Sequence, residues 1–257
     1  MRYAKGTVAV SLARDIPLLV QVRNSKFITH QQLFELMQAG RYECSRPSFD
    51  WRLKRLVLSN YVSICEGHFG TGVPVYRITK DGLLQLENHG QFVVILNSAT
   101  QHLPHLSQVH HALELNAIRL ALGRADLLAA WHGDVETASS NTTSPQPLKK
   151  DYDAVVDVWN AGQIARFALE YERTLKSARQ YEKVRAALEN ESKIGCILYL
   201  TSGFDIVLHL ANELSGISKR LAFATTSAFR HHLLDTPVIL HPHQPEVIFR
   251  QLLRGMF

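Results

Sequence analysis

Acidic side chains on two neighbouring predicted strands are the residues of this chain best suited to chemistry. Asp151 and Asp153 alternate on one strand, and Glu170 and Glu172 alternate at the end of the next. Side chains two residues apart point to the same face of a strand, so carboxylates from the two strands can meet across the pair. Mg²⁺ prefers oxygen donors of this kind. Asp153 and Glu170 are therefore the predicted metal ligands, and Mg²⁺ is the expected cofactor.

Two lysines follow these strands on a predicted helix. An ammonium group there can pair with a carboxylate or stabilise the charge of a reacting phosphate. If the site is active, its chemistry is metal-assisted hydrolysis of a phosphodiester. The predicted catalytic residues are Asp153, Glu170, Glu172, Lys176 and Lys183. The alternative is a set of structural ion pairs at a strand-end surface, and the pattern leaves both interpretations open.

A second candidate site is basic and lies on a predicted helix from Ser48 to Ser59. Ser48, Arg52, Arg55 and Ser59 recur at i, i+4, i+7 and i+11, opposite an apolar face. Cationic and hydroxyl side chains suit contacts with DNA phosphates and base edges. The predicted DNA-binding residues are Arg46, Ser48, Arg52, Lys54 and Arg55, with His68 and Arg77 on the hairpin that follows.

The elements that must position this helix fill the first third of the chain. Thr29 and Gln32 have capping-box spacing at the start of a second helix, and Gly40 ends it. Helices are predicted over Ile16 to Arg23, from Thr29, over Ser48 to Ser59 and over Leu83 to Asn88, with a hairpin between Tyr61 and Thr79. This order is typical of a winged helix-turn-helix, in which the third helix enters the major groove of DNA.

The acidic strands belong to an alternating pattern in the rest of the chain. A long amphipathic helix begins at Pro104, and Thr137 to Pro147 has the composition of a surface loop. Strands are predicted over Leu127 to His132, Asp151 to Trp159, Ile164 to Glu172, Lys193 to Thr201 and Arg220 to Thr225, with helices over Thr174 to Asn190 and Phe204 to Leu214. The pattern predicts an α/β domain.

These residues carry a resemblance to known families. An aspartate, a turn, a glutamate two residues before an acidic residue or lysine, and then a helix with lysines resembles the PD-(D/E)xK core of restriction endonucleases. The chain is more specifically similar to the replication-relaxation family of plasmid and mobile-element proteins. The matching segments are Tyr76 to Gly82, His110, Tyr152 to Val155, Leu169 to Thr174 and Tyr181 to Lys183, and the resemblance spans about Ile16 to Thr226.

The resemblance implies an α/β (α+β overall) chain with two domains. Residues 1–98 would form a winged helix-turn-helix domain, and residues 99–257 a nuclease-like α/β domain with a central mixed sheet. Two positions depart from the PD-(D/E)xK motif: Tyr152 replaces the proline, and Glu172 replaces the lysine. The second departure removes the motif lysine, and two alternatives follow: Lys176 or Lys183 replaces it from the following helix, or the fold is kept without catalysis.

The implied function is binding of double-stranded DNA by a mobile-element protein, with hydrolysis of DNA by the second domain. The alternative is a non-enzymatic regulator of transcription or replication whose nuclease-like domain is inert. A third interpretation is an adaptor whose N-terminal module contacts protein. A homodimer is the expected assembly.

Composition narrows the classes of protein further. The chain has 257 residues, is 46% hydrophobic and contains three cysteines, which excludes a disulfide scaffold. Residues 1–90 hold 12 Lys and Arg against 7 Asp and Glu, whereas residues 91–257 hold 16 of each. The whole net charge of +5 therefore lies in the first third, which favours a polyanionic partner there. No apolar run is long enough for a membrane span, so we expect a soluble cytoplasmic protein.

Overall fold

The computed structural model describes residues 9–65, 67, 69–94 and 105–254. The chain divides into two compact units, Met1–Asn116 and Ala117–Phe257. The sequence predicted a boundary at residue 98, whereas this division falls within a helix that begins at Leu106. No helix in the described ranges is long and apolar enough to cross a membrane.

Unit 1 combines helices with a small antiparallel sheet. Its elements are α1 (Asp15–Ser25), β1 (Ile28–Thr29), α2 (His30–Ala39), α3 (Arg46–Leu58), β2 (Val62–Ile64), β3 (Val75–Ile78), α4 (Lys80–Asn88) and the first part of α5 (Leu106–Arg124). The three strands lie in the order β1-β3-β2, and both pairings are antiparallel. The predicted helices and hairpin are confirmed, and the two-residue strand β1 is an addition to them.

Local signals in the sequence explain where two of these helices begin. Thr29 accepts a hydrogen bond from the backbone of Gln32, whose side chain accepts one from Thr29, so the predicted capping box starts α2. Thr79 caps α4 through the backbone N–H of Gly82. A side chain at Gly82 would collide with the carbonyl of Tyr61, so this tight approach requires glycine.

The core of unit 1 lies among its first three helices and its sheet. Fully buried side chains from these elements are Leu18, Leu19, Val22, Ile28, Leu33, Met37, Phe49 and Leu56. The beginning of α5 adds a second cluster, in which Val109 and Ala112 pack with Phe27 and Val75. This packing fixes α3 against the rest of the unit and leaves one of its faces at the surface.

Unit 2 is built on a five-stranded mixed sheet. Its strands are β4 (Leu128–Gly133), β5 (Ala154–Asn160), β6 (Gln163–Glu172), β7 (Cys196–Thr201) and β8 (Arg220–Thr225), in that spatial order. The pairs β4–β5 and β5–β6 are antiparallel, whereas β6–β7 and β7–β8 are parallel. The chain is therefore a mixed α/β protein.

The remaining elements of unit 2 lie between these strands or after them along the chain. They are α6 (Asp134–Thr143), α7 (Ala178–Glu189), α8 (Phe204–Glu213), α9 (Thr226–His232), a 3₁₀ turn (Leu233–Asp235), β9 (Pro237–Val238), β10 (Val247–Ile248) and α10 (Phe249–Leu252). Helices α7 and α8 pack on one face of the sheet, with Tyr181, Leu188, Val207 and Leu210 in a core that includes Ile197 and Phe223 of the strands. The sheet therefore has a well-buried centre.

The turn between β5 and β6 sets the register of the acidic strands. Ala161 and Gly162 have φ values of 53° and 82°, as a tight two-residue hairpin turn requires. This turn pairs Asn160 with Gln163 and, further along, Ala154 with Leu169. The two predicted neighbouring strands are confirmed, and their register brings the two acidic strand ends together.

The predicted loop from Thr137 to Pro147 is wrong, because most of it belongs to α6. The Ser- and Thr-rich composition suggested a loop, yet the hydroxyl groups here bond to carbonyl oxygens instead of disrupting the helix. Thr137 Oγ1 lies 3.1 Å from the carbonyl of Gly133 and 3.0 Å from that of Tyr152. Glu136 caps the start of the helix through the backbone N–H of Gly133.

Candidate functional site

The exposed face of α3 is shifted by one position along the sequence relative to the predicted outer face. Beside the exposed Arg46 and Asp50, the exposed residues of α3 include Pro47, Trp51, Lys54 and Leu58, each one position before a residue of the predicted outer face. Trp51 is 63% exposed and Leu58 is 78% exposed. The predicted face is turned partly inward, so the surface of α3 is more apolar than the sequence pattern indicated.

Arg52 is a correction to the predicted DNA contacts. Its side chain is 9% exposed, and its guanidinium lies 3.0 Å from Asp15 Oδ1 and 3.2 Å from Glu43 Oε2. Two buried carboxylates need a cation to be stable inside a protein, and Arg52 supplies it. The arginine therefore fixes α3 to the body of unit 1 and is not available to a ligand.

Arg55 is divided between the interior and the surface. It pairs with Asp15 Oδ2 and donates to the carbonyl of Ala9 at 3.1 Å, while its guanidinium carbon lies 5.3 Å from the Trp51 ring centroid. Burial alone would raise the pKa of Asp15. The hydrogen bonds from Arg55, from the backbone N–H of Ser11 and from Arg52 outweigh it and hold that pKa below its ordinary value.

The other predicted DNA contacts lie at or near the surface. Arg46 is exposed but engaged with Gln31, His30 and Asp50 at 2.7–3.2 Å. Lys54 is exposed, and Ser48 is half-buried. Arg77 is half-buried on β3, where it donates to Ser63. His68 lies outside the described residues.

The carboxylates of unit 2 come together as the strand register requires. Asp153 immediately precedes β5, and Glu170 lies in β6 one step beyond the paired residues Ala154 and Leu169. Asp153 Oδ2 accepts a hydrogen bond of 2.8 Å from the backbone N–H of Tyr171. Asp153 therefore lies beside the end of β6, where its charge acts on Glu170.

Glu170 is the most deeply buried acid of this cluster. Its Oε2 contacts the ammonium group of Lys150, whereas its buried Oε1 has no hydrogen-bond partner among the described residues. Burial raises the pKa of Glu170 above its ordinary value. The charge of Lys150 counteracts this effect, and the charge of Asp153 reinforces it. The site therefore holds a carboxylate that is only half satisfied.

Of the two predicted lysines, Lys176 reaches the cluster. Its ammonium group contacts Glu172 Oε1. Burial lowers the pKa of Lys176 and the nearby charge of Lys150 lowers it further, against the opposite effects of Glu170 and Asp153. Lys183 is exposed on α7, and no contact places it with these carboxylates in the described part of the chain. The role of Lys183 at this site therefore stays a prediction.

Two tyrosines complete the surroundings of Glu170. Tyr199 is the neighbour of Glu170 in β7, and its buried hydroxyl has no hydrogen-bond partner among the described residues. Burial, and then the charge of Glu170, raise the pKa of Tyr199 well above its ordinary value, so its hydroxyl stays protonated. The Lys150 ammonium lies 5.6 Å from the centroid of the Tyr152 ring, a cation–π distance.

The loop that carries Lys150 is fixed by side chains. Asn141 of α6 donates to the carbonyl of Lys150 at 3.3 Å and to Asp151 Oδ1 at 2.6 Å. It also accepts a bond of 2.8 Å from the backbone N–H of Leu148. Asp151 therefore bonds within the loop, although the sequence placed it on one strand face with Asp153.

The cluster offers the type of ligand that Mg²⁺ prefers, but only a small number of ligands. Asp153 and Glu170 offer carboxylate oxygens, and Glu170 has one oxygen unpartnered, while Mg²⁺ bound to one or two carboxylates completes its shell with water. In the described ranges, no three His, Cys, Asp or Glu side chains form a group that could hold a metal ion. The two predicted ligands could therefore hold Mg²⁺ as a pair of carboxylates, with water completing the coordination shell.

Sequence reasoning missed the cation that lies closest to the site. Lys150 lies three residues before Asp153. The only sequence signal for it is the pair of adjacent lysines, Lys149 and Lys150, which precedes the acidic strands. Tyr199 was missed because a tyrosine in an apolar strand is indistinguishable from a core residue.

No protein-family model, no curated protein and no solved structure matches this chain.

Proposed function

We propose that unit 1 is a winged helix that binds double-stranded DNA, with α3 as its recognition helix. The observation that carries this proposal is the order α1, β1, α2, α3, β2, β3 with the sheet order β1-β3-β2. This arrangement leaves α3 on the surface beside a hairpin, as in proteins that place a helix in the major groove.

Charge supports the same proposal. The excess of five positive charges lies within residues 1–90, and exposed Arg46 and Lys54 stand on α3 itself. Trp51 adds a wide apolar surface between them, with Arg55 against its ring. We infer that Arg46 and Lys54 contact phosphates while Trp51 lies against the groove, which replaces the role first predicted for Arg52.

For unit 2 we propose a nuclease-like domain whose Asp153 and Glu170 hold Mg²⁺. The support is the sheet, in which the acidic ends of β5 and β6 adjoin the parallel pair β6–β7, together with the half-satisfied carboxylate of Glu170. When bound there, a divalent cation supplies a nucleophile by lowering the pKa of water and polarises the phosphoryl oxygen. Lys176 lies within the same cluster and stabilises negative charge on the phosphate.

The alternative of an inert regulator is favoured by one observation. Lys150 and Lys176 contact Glu170 and Glu172, so the cluster is largely neutralised without a metal. A domain of this kind can serve as a platform for the winged helix, and a dimer would then bind a symmetric operator.

Duplex binding is tested with Arg46→Ala combined with Lys54→Ala. Loss of two cationic contacts is expected to weaken binding and to reduce the slope of log K against log [salt] by about 2, since each phosphate contact contributes about 0.9. Fluorescence anisotropy of a labelled duplex over a salt series measures both. The matched control, Lys193→Ala with Arg254→Ala, removes one lysine and one arginine exposed on unit 2 outside the segments that carry the acidic cluster. Equal losses in the two double variants would contradict a role for α3.

Hydrolysis is tested with supercoiled plasmid and Mg²⁺ or Mn²⁺. We expect nicking by the wild type and loss of nicking in Asp153→Asn, because the amide keeps an acceptor for the Tyr171 N–H but loses the charge that holds a cation. Asp151→Asn is the matched control, since that carboxylate bonds to Asn141 of α6 and not to the end of β6. If the wild type and Asp153→Asn behave alike, the regulator is the better description.

A further inference from the structure

Lys150 contacts one oxygen of Glu170, the carboxylate that would bind a metal ion in the proposed site. Its ammonium group contacts Glu170 Oε2 directly, and it also acts on the pKa of Lys176. A cation needs lone pairs of the same carboxylate, and two positive charges at contact distance repel each other strongly where water is scarce. Lys150 and a divalent cation therefore compete electrostatically for Glu170.

A second feature indicates that the pairing with Lys150 does not complete the site. Glu170 Oε1 and the Tyr199 hydroxyl are both buried without hydrogen-bond partners among the described residues. A buried acceptor left unpaired is costly, so natural structures seldom keep one without a reason. The lysine satisfies one oxygen of the carboxylate and leaves the other open.

We propose that Lys150 is a built-in counter-ion that closes the metal site, and that a divalent cation binds only when the lysine side chain swings out. The inference rests on the metal site proposed above, and it assigns that site a resting state. With the lysine in place, the charge of Glu170 is partly offset without metal. DNA phosphates approaching this surface give the displaced ammonium group a new anionic partner.

The side chain can move without its loop. Asn141 and the backbone bonds of Lys149 to Glu191 and of Leu148 to Asn141 fix the chain on either side. The Lys150 side chain is 21% exposed, so its flexible four-carbon stem has a path to water. Displacement therefore requires rotation of one side chain and no change in the sheet.

Manganese binding to the full chain tests the inference without any measure of activity. Free Mn²⁺ is titrated by electron paramagnetic resonance for the wild type and for Lys150→Met, which keeps the length of the stem and removes the charge. We expect Mn²⁺ to bind about tenfold or more tightly to Lys150→Met. Lys149→Met, an exposed neighbour with the same change, is expected to bind like the wild type. Lys150→Gln repeats the measurement if the methionine variant does not fold.

The double variant Lys150→Met with Glu170→Gln locates the effect. Loss of the gained affinity in this variant supports competition at Glu170. Equal affinity of the wild type and Lys150→Met overturns the inference while leaving the metal site in place. An equal gain in Lys149→Met also overturns it, since the effect would then be one of net charge. If neither the wild type nor Lys150→Met binds Mn²⁺, the inference and the proposed metal site both fail.

Discussion

Both units bury carboxylates beside cations, but unit 1 uses arginine where unit 2 uses lysine. Asp15 has both oxygens bonded, to Arg52 and to Arg55, and its pKa lies below the ordinary value. Glu170 has one oxygen in contact with Lys150 and the other unpartnered, and its pKa lies above the ordinary value. The pKa values of the two acids are therefore shifted in opposite directions, because hydrogen bonds to Asp15 outweigh the effect of its burial, whereas the single contact of Glu170 does not.

The difference follows from the shape of the two cations. A guanidinium presents five donors in a rigid fork and keeps its charge, so one arginine can bridge two acids, as Arg52 bridges Asp15 and Glu43. An ammonium group is a compact point charge on a flexible stem. Arginine in unit 1 fastens a helix, whereas lysine in unit 2 neutralises a carboxylate and can still leave it.

The largest effect that this comparison predicts is the loss of Arg52. Arg52→Met leaves Asp15 and Glu43 buried without their shared cation, and removing one partner of a buried ion pair costs about 3–5 kcal/mol. Urea unfolding of the full chain measures the loss, and hydrogen–deuterium exchange of the α1 and α3 peptides assigns it to unit 1.

Lys54→Met is the control for that prediction, because it removes an exposed cation from the same helix. Surface changes of this kind usually alter stability by about 0.5 kcal/mol or less. If the two variants lost equal stability, Arg52 would not stabilise the packing of α3 as its contacts indicate.

Signals that act over a few residues were predictable from the sequence. The Thr29 capping box and the hairpin turn at Ala161 and Gly162 depend on residues within four positions of each other. The α/β pattern, and the meeting of Asp153 with the end of β6, followed from strand periodicity and turn length.

Contacts between distant segments were not predictable. Arg52 looked like a surface residue because its partner Asp15 is 37 positions away, and nothing in the helix itself shows that acid. Lys150 was missed because its contact with Glu170 depends on how Asn141 fixes a loop. The α6 helix was misread as a loop because Thr137 bonds to Tyr152, a residue beyond the helix.

The second prediction is smaller and compares the two acids directly. Asp15→Asn weakens charge-assisted hydrogen bonds and is expected to cost about 1.5–3 kcal/mol at pH 7. Glu170→Gln mimics the neutral acid that burial favours, so it is expected to cost nothing at pH 7 and to raise the unfolding midpoint. Urea unfolding of both variants and the wild type across pH 2–8 makes the comparison, because the window of Asp15 lies below the ordinary aspartate pKa.

The contributions of the two acids to the free energy of unfolding change with pH in opposite directions. The test therefore does not depend on the overall stability of the variants. The folded pKa of Asp15 is lowered, so its contribution is present above the unfolded pKa and is lost as the pH falls through the folded pKa. The folded pKa of Glu170 is raised, so stability is lost as the pH rises from the unfolded pKa through the folded pKa, and acidification below the unfolded pKa removes the loss. The advantage of Glu170→Gln over the wild type should therefore vanish on acidification. If Glu170→Gln instead loses stability at pH 7 as Asp15→Asn does, Lys150 and Glu170 form a fixed ion pair, and lysine fastens unit 2 as arginine fastens unit 1.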